Sequence, residues 1–252
     1  MTLRCISHWG GLLLLCTGLF SCQSGKWEPL FNGEDLKGWT VKCIAADLGK
    51  AYWSVKDGCI TCNSMGDKDH NYVWLSSDKE YEDFHLKLKF QLFRKSEGNS
   101  GVQFRSRYDD SADASYGGWL HGPQVDIHGP EPFRTGLIYD ETEGIRRWIH
   151  PSLPDWRISP QQAPESTKGT ELFFYEDDPQ SWNSMEIICR GMDIITRVNG
   201  NLVSDFKGEG ILNDEVHRDL NSGESGCIAL QLHMNDELKI RFKDIIIKEF
   251  AQ

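Results

Sequence analysis

Several features that would place this chain in a familiar class are scarce or missing. No stretch after Cys22 is apolar enough to cross a bilayer, which takes about 20 consecutive apolar residues in a helix. Basic clusters are absent from a chain of net charge −11, so nucleic acid is an improbable partner. Apolar residues rarely recur at helical spacing, and there is neither an internal repeat nor a low-complexity linker, which disfavours bundles and solenoids. Five cysteines follow Cys22, at positions 43, 59, 62, 189 and 227; an odd number leaves at least one thiol unpaired within the chain. Cys59-x-x-Cys62 lacks a second Cys pair, a nearby His pair and a helix N-terminus to activate it, so buried small side chains or a local disulfide are expected rather than metal or redox chemistry.

What is there begins with an address. Arg4 gives a weakly basic start, Gly10 to Phe20 form an apolar run, and Leu19-Phe-Ser-Cys22 follows. The run suits a signal-peptide core and is too short to span a membrane. Its ending resembles the bacterial lipobox. The expectation is therefore a signal peptide over residues 1–22, with Cys22 the lipidated first residue of the mature chain. Gln23 and Ser24 do not resemble an inner-membrane retention signal. A lipid-anchored envelope protein on the outer membrane, facing the periplasm, is expected, with the cell surface as the alternative. Residues 23–252 suit one large β domain.

Short alternating runs with turn residues between them fill that length. Phe84-His-Leu-Lys-Leu-Lys-Phe90 puts Phe84, Leu86, Leu88 and Phe90 on one face. Asn199-Gly200 between two apolar runs predicts a type I′ hairpin, because both turn residues must take positive φ. About a dozen such runs predict an all-β, two-sheet antiparallel sandwich or jelly roll. The irregular stretch from Ile149 to Glu171 is too long for an ordinary connection and is expected to cover one face of a sheet.

Three of the runs carry polar rows. In Gln124-Val-Asp-Ile-His128, Val125 and Ile127 face one way while Gln124, Asp126 and His128 face the other. Gly101 to Arg107 sets Gln103, Arg105 and Arg107 against Val102 and Phe104, and Cys227 to His233 sets Gln231 and His233 against Leu230 and Leu232. Three such rows predict one polar face on a sheet. Trp119, Trp148 and Trp156 stand in loop-like segments where they can stack on a sugar ring, whereas Trp39, Trp53 and Trp182 read as core.

In order along the chain, Leu30-Phe-Asn-Gly-Glu-Asp-Leu-Lys-Gly-Trp39, Trp53-x-Val-x-Asp-Gly58, Asn99-Ser-Gly-Val-Gln-Phe-Arg105, Gln124-Val-Asp-Ile127, Thr135-Gly-Leu-Ile-Tyr-Asp-Glu141 and Gly226-x-Ile-Ala-Leu-Gln-Leu-His233 resemble the 3-keto-disaccharide hydrolase or 3-keto-glycoside lyase family. The resemblance implies a concanavalin A-like jelly roll and sugar substrates already oxidised to a ketone at C3. Many members have Glu-x-Gln where this chain has Gln124-x-Asp126.

Glucanases of that architecture carry Glu-x-Asp-x-Glu on one strand, and retaining hydrolysis needs two carboxyl groups about 5 Å apart. Here the row reads Gln124-x-Asp126-x-His128, which disfavours direct hydrolysis of an ordinary glycoside. A C3 ketone acidifies the C2 proton, so one base can start an elimination that expels the C1 substituent. Asp126, His128 and His233 are the candidate bases. Arg105, Gln124 and Gln231 are candidates to hold the oxyanion or sugar hydroxyls, with Gln103 beside them, and Tyr139 is the candidate acid. An ion pair between Arg105 and Asp126 is the structural alternative. Asp126, His128 and His233 are also candidate ligands for a divalent metal ion. A carbohydrate-binding module without catalysis, built on the same scaffold and its tryptophans, is the rival function.

Overall fold

The structure, a computed structural model, describes residues 25–96, 98–111, 118–129, 134–167 and 173–251. In chain order the strands are β1 (Glu28–Pro29), β2 (Trp39–Cys43), β3 (Trp53–Lys56), β4 (Cys59–Asn63), β5 (Val73–Tyr81), β6 (Phe84–Leu92), β7 (Ser100–Asp109) and β8 (Trp119–His121). They continue as β9 (Pro123–Ile127), β10 (Ile138–Asp140), β11 (Arg147–His150), β12 (Asn183–Arg190), β13 (Asp193–Val198), β14 (Asn201–Lys207), β15 (Gly226–Leu232) and β16 (Lys239–Glu249). A short helix, α1 (Glu215–Asp219), precedes β15.

The strands form two antiparallel sheets of eight, as the alternating runs predict. The back sheet runs β14-β13-β12-β6-β16-β4-β3, with β1 on β16. The front sheet runs β11-β10-β9-β7-β15-β5-β2, with β8 on β7. Residues with period-two alternation supply both inner faces. Phe84, Leu86, Leu88 and Phe90 of β6 are buried, as are Val102, Phe104, Val125, Ile127, Leu230 and Leu232 opposite them. Each such side chain contributes roughly 1.5–3 kcal/mol when fully buried. At the Asn199-Gly200 turn φ is +49° and +80°, so β13 and β14 form the expected hairpin.

One bulge decides what the front sheet presents. Gln103 to Ser106 on β7 stand against only Ala229 to Cys227 on β15, so β7 carries an extra residue, and Arg105 takes φ +49°. Beyond it the parity reverses. Arg105 leaves the polar row and is buried at the end of the sandwich, where its Nε donates to the Glu82 carbonyl (2.8 Å) and its Nη2 pairs with Asp83 (3.0 Å). The expected proximity of Arg105 to Asp126 does not exist.

Parity also separates the Cys-x-x-Cys pair. Cys62 packs in the inter-sheet core, while the Cys59 thiol meets Arg241, which points outward from the back sheet. All five described cysteines are free and buried, and no local disulfide forms. Trp39 and Trp53 are core as expected. Trp182 instead lies on the outer face of the back sheet, 4.0 Å below the Lys243 ammonium.

Asp83 also accepts the Gly191 N–H (2.8 Å), so it satisfies two groups at once. We expect Asp83→Ala to lower stability by about 3 kcal/mol in urea unfolding, because the Arg105 charge stays buried without its carboxylate. A loss near zero would mean that the carbonyl contacts alone suffice.

Candidate active site

The outer face of the front sheet holds a cavity of about 630 Å³, and most of its walls follow from strand register. Gln124 and Asp126 of β9 project into it, Gln124 opposite Tyr139 of β10, which in turn pairs with Trp148 of β11. Gly101 of β7 lies beside this row. A Cβ there would sit 2.3 Å from Gln124 Cδ, so only glycine lets the amide lie across β7. His233 follows β15, and Tyr72 precedes β5. The segment after β11 brings Trp156 to the rim, in line with a covering loop.

Glu141, the residue after β10, and Asp126 are the two buried carboxyls that line the cavity, 4% and 2% exposed. Its Oε1 accepts from Gln231 Nε2 (3.2 Å), and its carbonyl accepts from Trp119 Nε1 (2.6 Å). The turn that carries Glu141 and Arg146 is fixed from behind. His217 of α1, fully buried, lies 3.2 Å from Asp140 Oδ2 and 3.3 Å from Thr142 Oγ1. The Thr142 N–H donates to Asp140 Oδ1 (3.1 Å), and the Glu143 N–H to His121 Nδ1 (3.2 Å).

Burial raises the pKa of both carboxyls above the ordinary carboxylate value. At Asp126 the Arg134 guanidinium, 2.8 Å away, works against that rise, and Gln124 donates at 3.3 Å. At Glu141 the opposing influences are His233 and the Gln231 amide. Burial works against the charged imidazole of His233. The Asp236 carboxylate (3.4 Å) and the charge of Glu141 outweigh it and hold His233 above the ordinary imidazole value. Asp236 is held low despite burial, by His233 and by the Asn99 N–H. His233 Nε2 meets the Tyr72 hydroxyl at 2.9 Å, which gives a linked Asp236–His233–Tyr72 chain. Burial pushes the phenols of Tyr72 and Tyr139 up, so both remain proton donors.

The cavity brings together Asp126, His128, His233, Tyr139, Gln124 and Trp148 of the sequence candidates, with Asn99 and Trp156. Three others lie behind its floor. Gln231 reaches Glu141, Gln103 donates to the Leu120 carbonyl (2.9 Å), and Trp119 is buried in β8. Arg105 is displaced by the bulge, as described above. Among the described residues no three His, Cys, Asp or Glu side chains are placed to hold a metal ion, so Asp126, His128 and His233 are not a preformed ligand set. The sequence reading missed Glu141, Arg134, Arg146, Tyr72 and Asp236. Glu141 and Tyr72 alone carried a signal, as polar residues at strand ends.

Residues 26–248 match the 3-keto-alpha-glucoside-1,2-lyase-like domain. The chain belongs to that family. Among solved structures, this lyase-like domain is similar to two proteins from Parabacteroides distasonis ATCC 8503 described as candidate glycosyl hydrolases. The first is 20% identical with a TM-score of 0.53, over 90% of this chain and 94% of that one. The second is 20% identical with a TM-score of 0.51, over 89% and 100%. The Emp46p carbohydrate recognition domain aligns at 11% identity and a TM-score of 0.51, over 86% and 91%. At such identities these likenesses speak for the jelly-roll fold. No curated protein matches this lyase-like domain significantly.

The raised His233 adds stability fully present below the ordinary imidazole pKa and lost as pH rises through its folded value. The lowered Asp236 adds stability present above the ordinary carboxylate pKa and lost as pH falls through its folded value. The pair therefore contributes most between about pH 4 and 6.5. We expect Asp236→Asn to move the His233 titration midpoint to lower pH by imidazole NMR; an unmoved midpoint would assign the shift to Glu141 alone.

Proposed function

We propose that this cleft cleaves glycosides already oxidised to a ketone at C3, by elimination across C1 and C2. A base takes the C2 proton, and the electron pair of that bond forms the enolate of the C3 ketone. When the enolate collapses, the C3 carbonyl is restored, a C1–C2 double bond forms, and the C1–O bond breaks. The departing oxygen takes a proton. Addition of water at C1 would turn the enone into the free 3-keto sugar.

The observation that carries this reading is the pairing of two buried, raised carboxyls with proton-donating phenols and cations in one cleft. A base poised nearer neutral pH than a free carboxylate suits removal of a carbon-bound proton. Glu141 fits that role, because the Gln231 side chain that donates to it is a neutral amide, whereas Asp126 is engaged by Arg134. Arg134 and Arg146 line the same cleft and suit the developing enolate oxygen, where losing one donor typically costs about 3 kcal/mol. Tyr72 suits protonation of the leaving oxygen, with His233, 2.9 Å from its hydroxyl, restoring its proton. The buried Gln124 Oε1 has no hydrogen-bond partner among the described residues and suits a sugar hydroxyl.

A non-catalytic carbohydrate-binding role is the second reading. It draws on the aromatic rim, where Trp148 is buried and Trp156 is 61% exposed. We also propose that Cys22 carries a lipid that holds the protein on the outer membrane, facing the periplasm.

We expect purified protein to release the aglycone from a 3-keto aryl glucoside and not from its unoxidised parent. Glu141→Gln should lower kcat about 10²- to 10⁴-fold. Loss of release in EDTA would add a divalent metal to the mechanism. Sugar binding without turnover, equal in Asp126→Ala and wild type, would favour the binding module instead.

A further inference from the structure

The outward face of the back sheet has a charge opposite to that of the chain. The whole protein is strongly acidic, at −11. Yet strand parity turns Lys87 and Lys89 of β6, and Arg241, Lys243 and Lys248 of β16, to the same outer surface. Register sets Lys243 beside Lys89 and Lys248 beside His85. The acids among them are few: Glu186 bonds His85 (2.7 Å) and lies 3.4 Å from Lys87, Asp244 pairs with Lys89 (2.9 Å), and Asp57 lies 3.6 Å from Arg241. Lys243 and Lys248 form no ion pair among the described residues.

Two tryptophans share that face. Trp27, 41% exposed, meets His85 edge-on at 4.9 Å with the Lys87 ammonium 5.3 Å from its ring. Trp182 lies under Lys243 at 4.0 Å. Lysines interleaved with tryptophans suit a phospholipid headgroup layer, where the indoles sit at the interface and the ammonium groups meet phosphates. The covalent chain points to the same occupant. Trp27 is five residues after Cys22, so an attached lipid can lie no farther than about 17 Å from Trp27 along an extended chain. The next residues, β1, pair with β16 of this same sheet.

We propose that the outer face of the back sheet rests on an anionic phospholipid surface, so that the cleft, on the opposite sheet, opens away from the bilayer. The orientation rests in part on the lipid at Cys22, whereas the charge and tryptophan pattern does not.

The test uses a chain beginning at Gln23, without lipid; every strand among the described residues lies between Glu28 and Glu249, so both sheets are retained. It is sedimented with vesicles of phosphatidylethanolamine and phosphatidylglycerol, and with vesicles of phosphatidylcholine alone, at low and high salt. We expect binding to the anionic vesicles only, weakened by salt and reduced at least about fivefold in a Lys87→Glu, Lys243→Glu, Lys248→Glu variant. Circular dichroism checks that this variant is folded. No binding, or binding that the three substitutions leave unchanged, overturns the proposal. So does a vesicle-independent dimer abolished by the same substitutions, which would assign the face to a second copy. Mass spectrometry of the full-length protein reads the lipid separately. Vesicle binding by the unlipidated chain together with an unmodified Cys22 would sustain the surface and remove the anchor.

Discussion

Two carboxyls, Asp126 and Glu141, are held out of water on the outer face of a sheet, and much of the front sheet is arranged around that fact. A buried carboxylate is costly unless it is paired or hydrogen-bonded. Asp126 is paired by Arg134 and touched by Gln124, and Gln124 lies where it does because Gly101 has no side chain. Glu141 is approached by Gln231 and by the field of His233. Compensation is incomplete in both cases, and so both carboxyls sit above their ordinary range. Incomplete compensation costs stability, and it also makes each carboxylate a stronger proton acceptor than a free one.

The support behind Glu141 is equally specific. Asp140 and Glu141 are neighbours facing opposite ways, so one carboxylate is spent on structure and the other on the cleft. Asp140 takes the buried His217, which reaches it from α1 and is itself held by Asp214 (2.8 Å). His121 catches the next turn at the Glu143 N–H. Two separate segments, α1 and β8, thus converge on a few residues of backbone, and that backbone delivers both Glu141 and Arg146 to the cavity.

The bulge in β7 shows how a single extra residue changes assignment. Strict alternation places Arg105 with Gln103 in the polar row. The left-handed backbone at Arg105 shifts the phase, and the guanidinium becomes a buried tie to the turn between β5 and β6. Nothing in Gln-Phe-Arg-Ser advertises the bulge, since arginine is not a residue that favours positive φ. The short strands β8 and β11 were equally hidden. Three or four residues are too few for a period to emerge.

The sequence by itself determined the sandwich, the hairpin at Asn199-Gly200 and the polar row of β9, because alternation and turn chemistry are local properties of the chain. It also carried the family resemblance that the match over residues 26–248 bears out. Tertiary structure alone decided which polar residues meet. Glu141, Arg134, Arg146 and Asp236 come from connections rather than strand interiors, and their positions depend on how distant segments such as α1 pack behind them. Desolvation is a property of that assembled environment. No local pattern could show that Asp126 would be buried against Arg134 while Asp193 would stand in solvent.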